Sequence, residues 1–146
     1  MMVFAATVSA TCVAGLGSTA DASRIVAAYN ARSLEILRLA AAGADQELSE
    51  LVAPDAEFSL GSGDVGRPLG RGLTGATAML ADLQGTVPGY FATTELHPST
   101  DPCADHNSTI EYVTPEGTRS AMITFHYSRG KLQSAAGWWR STGTRS

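Results

Sequence analysis

Residues 119–140 read RSAMITFHYSRGKLQSAAGWWR, and this stretch decides the architecture. Along Arg119–Tyr127 the side chains alternate: Ile123, Phe125 and Tyr127 lie on one side, Met122, Thr124 and His126 on the other. A period of two is a strand with two different faces. Ser128-Arg129-Gly130 is a turn signal, and Lys131–Arg140 resumes a run rich in β-formers. The stretch is a hairpin. Ser108–Thr114 is a further strand, joined to it through Pro115-Glu116-Gly117, and Tyr90–Leu96 is another. The last third of the chain is therefore an antiparallel meander.

The first half reads differently. Ser23–Ala42 is amphipathic at helical spacing, with Val26, Tyr29, Leu37 and Ala41 in a stripe widened by Ile25, Ile36 and Leu39. Gly43 ends this helix, and Asp45 is expected to cap a short second one through Val52, which Pro54 prevents from continuing. Ala56–Leu60 is a short strand, and the glycine-rich 61–72 an irregular hairpin or loop. Its glycines lack the Lys-Ser/Thr ending of a phosphate cradle. Leu73–Leu83 is a third helix, closed by Gly85 and Pro88. Helices gathered early and strands late predict an α+β domain with an antiparallel sheet.

Three motifs in this order resemble the nuclear transport factor 2-like superfamily, which includes ketosteroid isomerases and polyketide cyclases. They are Leu51-Val52-Ala53-Pro54-Asp55-Ala56-Glu57-Phe58 at a helix-to-strand passage, Gly70-Arg71-Gly72 before the third helix, and Phe125–Leu132 at the last hairpin. The likeness spans Ser23–Trp139. It implies a cone: three helices packed in a curved sheet around an apolar pocket. Leu60, Ile123, Phe125, Tyr127 and Trp139 would line that pocket, with Tyr112 beside them, and adjacency in a strand then turns Trp138 outward.

The resemblance also allows the chemistry to be tested. An isomerase of this kind needs a carboxylate base, and a tyrosine and a protonated aspartic acid at the oxyanion. The base would fall near Leu60, the tyrosine within Ile36–Arg38 and the acid at Ile123, and none of those side chains is present. Asp64 lies beyond the strand and reads as solvated loop. The cyclase-like Glu-His-Trp run is replaced by Gln133-Ser134-Ala135-Ala136-Gly137-Trp138-Trp139. No catalytic set is assigned.

His97, Asp101, Cys103, Asp105 and His106 crowd between two strands, but the spacing matches no metal motif, and turn chemistry explains the Asp and Pro residues. Neither metal nor cofactor is expected. His126 is placed on the outer face. Ten basic residues are scattered in a chain of net charge −4 with a single Lys, Lys131; nucleic acid and a polybasic membrane contact are poor partners for such a surface.

The uncharged run Val3–Leu16 and the small-x-small site Ala20-Asp21-Ala22 outline a secretory leader that lacks a basic start. Residues 1–22 are read as leader or extension, 23–140 as the domain and 141–146 as a tail, with the exported chain starting near Ser23. Without export the protein would be cytoplasmic. With Cys12 in a removable segment, Cys12 and Cys103 are read as two independent thiols. Three functions follow as expectations. The first is a module binding a small hydrophobic molecule. The second is an isomerase, cyclase or dehydratase with an unrecognised polar set. The third is a structural dimerisation domain. A homodimer through the outer face, at Trp138, Met122 and Thr124, is expected.

Overall fold

The computed structural model describes residues 12–92 and 99–141. The elements are α1 (Ala22–Ala42), α2 (Asp45–Leu51), β1 (Val52–Ser62), β2 (Pro68–Arg71), α3 (Gly72–Asp82), β3 (Val87–Ala92), β4 (His106–Val113), β5 (Arg119–Ser128) and β6 (Lys131–Ser141). The strands form one curved sheet in the order β2-β1-β6-β5-β4-β3, with the three helices against it. α1 crosses β4 and packs on α3, and α3 lies over β1 and β2. This is the α+β layout expected from the sequence.

Several details differ from expectation, each for a physical reason. The sheet is mixed: β1 runs parallel to β6, and the other pairings are antiparallel. Between β1 and β6 lie the hairpin, α3 and the meander, and the chain returns beside β1 in its original direction. The glycine-rich stretch contains β2, which pairs with β1 at Glu57–Arg71 and Phe58–Gly70. Asp45 sits in the first turn of α2 and makes no capping bond. Pro88, read as closing the third helix, lies in the edge strand β3 beside a register shift, a position that tolerates proline. The strand expected over Tyr90–Leu96 begins earlier, at Val87, and is described to Ala92; 93–98 lie outside the described residues.

Local chemistry fixes the joints. Gly43 adopts φ +67 and sends its N–H back to the Ala40 and Leu39 carbonyls, ending α1. Gly72 opens α3 at φ +58, and a Cβ there would stand 2.6 Å from the Pro54 carbonyl oxygen. Only glycine fits this approach. The buried seam of α1 is Ile25, Tyr29, Ser33, Ile36, Leu37 and Leu39; the expected members Val26 and Ala41 are partly or wholly exposed.

The segment ahead of α1 is part of the fold. Val13 and Leu16 join the hydrophobic core, and the Ala20 N–H bonds the Thr100 carbonyl at 3.0 Å. Cys12 and Cys103, read as independent thiols, form a disulfide across 91 residues of sequence. Arg32 donates to the carbonyls of Cys12 and Gly130, tying the segment to α1 and the β5–β6 turn. Local spacing could not report this pairing, because it depends on the chain returning to the same place. Cleavage before Ser23 would remove one sulfur and two core side chains.

Candidate functional site

The concave face is built in cross-strand rows. Leu60 of β1, Gly137 of β6, Ile123 of β5 and Ile110 of β4 stand opposite one another in register. The two positions that the resemblance matches to an isomerase base and acid thus share one row, and both are aliphatic. The next row toward the strand ends is Ser62, Trp139, Ala121 and Tyr112. All six residues expected to line a pocket are on this face. They do not share one environment. Leu60, Ile123, Phe125 and Tyr127 are at most 1% exposed and packed into the core; Tyr112 is 5% exposed, and Trp139 is half-buried at the rim.

A polar thread runs through the apolar interior. The Ser33 hydroxyl bonds the Tyr29 carbonyl at 3.0 Å and the Tyr127 hydroxyl at 2.8 Å. Tyr29 donates to the Pro102 carbonyl, and its ring lies 4.7 Å from that of Tyr127. Burial pushes the Tyr127 phenol well above its ordinary pKa, the Ser33 bond pulling the other way. Burial raises Tyr29 as well, with Arg32 opposing. The Tyr112 phenol is also raised strongly by burial, and its buried hydroxyl has no hydrogen-bond partner among the described residues. A neutral phenol in this state is a donor awaiting an acceptor, and leaving it unpaired costs about 1–3 kcal/mol.

At the rim, the Arg119 guanidinium lies over the Trp139 ring, 4.3 Å from its centroid. Ser62, Gly63, Arg119, Trp139, Arg140 and Ser141 surround an open groove of about 430 Å³. Arg119 is two residues from Ala121, so strand alternation puts it on the same face, one row further out. Sequence reading placed Tyr29 in the helix stripe without giving it a role in the site, and did not single out Arg119 or Ser33. The i, i+4 spacing of Tyr29 and Ser33 and the inward phase of Arg119 were the available signals.

In the loop before β4, Cys103 is consumed by the disulfide, and among the described residues no group of three or more His, Cys, Asp or Glu side chains converges. His106 is buried, stacked on Tyr29 at 5.1 Å, with Nε2 2.8 Å from the Asp101 carbonyl oxygen. His97 lies outside the described residues. His126 is on the outer face as expected, its Nδ1 2.8 Å from Asn107 Oδ1. Asp64 is exposed. A second groove, of about 630 Å³, runs between Cys12–Gly15 and the β5–β6 turn. Its cations are Arg32, which is tied to carbonyls, and the exposed Arg129 and Lys131, with Glu50 opposite. No described helix is long and apolar enough to cross a membrane.

No protein-family model and no curated protein matches this chain. Among solved structures, a protein from Sphaerobacter thermophilus is similar, with 14% identity and a TM-score of 0.49 over 88% of this chain and 100% of that one. A nuclear transport factor 2-like protein of unknown function from Silicibacter pomeroyi DSS-3 has 16% identity and a TM-score of 0.48, over 84% and 99% of the two chains. A nuclear transport factor 2-like protein from Burkholderia xenovorans LB400 has 14% identity and a TM-score of 0.44, over 84% and 92%.

Proposed function

We propose that this chain is a non-catalytic binding domain that takes a small, largely apolar molecule at the rim of the cone, between Trp139 and Tyr112. One observation carries the reading: among the described residues the buried Tyr112 hydroxyl has no partner, in the same cross-strand row as half-buried Trp139. A ligand oxygen reaching Tyr112 would satisfy the donor while its apolar body covers Trp139, the usual division of labour in small-molecule sites. Among the described residues proton abstraction finds no base in the row behind, which holds Leu60, Gly137, Ile123 and Ile110.

A second reading, a structural dimerisation module, is favoured by the near-zero exposure of Leu60, Ile123, Phe125 and Tyr127. The two separate in one experiment. In a Trp138→Phe background, where Trp139 is the only indole, a neutral hydrophobic probe such as N-phenyl-1-naphthylamine should quench Trp139 emission saturably. Trp139→Ala should weaken binding, read from the probe's own fluorescence, by about tenfold, the loss of one aromatic contact. Steroid isomerisation should stay at background. Absence of saturable binding would leave the structural reading, and robust isomerisation would overturn both.

A further inference from the structure

The binding reading leaves open what chemical class the rim selects, and Arg119 speaks to it. Among the described residues, four arginines are matched to carboxylates: Arg38 to Glu35, Arg67 to Asp82, Arg71 to Glu57 and Arg140 to Glu111. Arg32 is spent on two backbone carbonyls and lies over Tyr29. Arg24, Arg119 and Arg129 have no carboxylate partner among the described residues. Of these three, Arg119 is the one that lies over an aromatic ring, that of Trp139.

A cation–π contact places the guanidinium without an acceptor, so its N–H fork stays available for a planar anion. Among the described residues the groove wall brings no anionic acceptor: Ser62, Gly63, Trp139 and Ser141 offer neutral hydroxyls, backbone and an indole, and Arg140 is paired with Glu111. Arg119 and Trp139 sit on one face, one row apart, with Tyr112 in the row of Trp139. A single molecule spanning these groups would need three parts in sequence: an anionic head, an apolar body, and a hydrogen-bond acceptor at its inner end. The chain carries a net charge of −4, so this local positive site works against the long-range field, and selectivity for an acid must come from direct contact.

We propose that the rim site selects small organic acids, with the acidic group held by Arg119 and the apolar body against Trp139. This rests on the binding reading above. The test uses two probes with the same rings, 8-anilino-1-naphthalenesulfonate and neutral N-phenyl-1-naphthylamine, titrated by their own fluorescence. Wild type should bind the sulfonate about tenfold more tightly, the range of one charge-assisted hydrogen-bonded contact. Arg119→Gln should bring the two affinities within about twofold of each other. Lys131→Gln removes the same charge at the other end of β6 and should keep the preference. Equal affinities in wild type, or equal losses in Arg119→Gln and Lys131→Gln, would overturn the acid selectivity and leave the binding reading standing. No saturable binding of either probe would overturn both.

Discussion

Cys12 and Cys103 are bonded to each other, and the bond closes the N-terminal segment over the end of the sheet where β5 turns into β6. Val13 and Leu16, just after Cys12, are buried in the same core as α1. The first half of the bridge therefore lies in a segment that sequence alone marks as removable.

The first prediction is that the functional chain keeps Cys12. Protein isolated from its native host should have an intact mass that includes Cys12 and is two hydrogens below that of the dithiol form. The Cys12→Ser/Cys103→Ser variant should lose about 2–5 kcal/mol in urea denaturation, the usual cost of removing a bridge that closes a long loop. A mature chain starting at Ser23 with unimpaired stability would refute this.

The outer face carries the second prediction. Tyr90, Glu111, Met122 and Trp138 form one cross-strand row, with Trp138 46% and Tyr90 49% exposed. Trp138 lies over Gly61, where an added Cβ would stand 2.6 Å from its ring. A shared row with two exposed aromatics is a surface that a second copy would cover. Light scattering should find a dimer for wild type and a folded monomer for Trp138→Glu. A wild type that stays monomeric at high concentration rules the dimer out.

The third prediction follows from the buried phenols. Burial raises the pKa of Tyr112, Tyr127 and Tyr29 in the folded state, whereas in the unfolded chain they ionise near 10. Unfolding therefore releases protons above that pH. Stability should be full below about pH 10 and fall as the pH rises beyond it. Phenolate absorbance should stay well short of the full complement of four tyrosines until the protein unfolds. Near-complete ionisation of Tyr29, Tyr112 and Tyr127 in a folded chain at about pH 11 would contradict their burial. Tyr112→Phe should leave the free protein as stable as wild type or about 1 kcal/mol more stable, since it removes an unpaired buried hydroxyl.

Much of this protein is legible in sequence because the relevant signals are local. The alternation from Arg119 to Arg140 set which residues face the helices, and Met122, Thr124, His126 and Trp138 lie on the outer side accordingly. Gly43 and Gly130 ended their elements at positive φ, which glycine adopts at low cost. What tertiary structure decided is the set of relations between distant segments. The parallel β1–β6 pair, the Cys12–Cys103 bridge, the Ser33–Tyr127 bond and the Arg119–Trp139 stack have no periodic signature, because each depends on where the chain returns. The pocket residues show the same division. Strand phase put Leu60, Tyr112, Ile123, Phe125, Tyr127 and Trp139 on one face, but whether space remains beside them is a matter of packing. Side chains from α1 and from the segment after Cys12 join the core with the first five, and only at the strand ends, where cover runs out, is Trp139 left half-open.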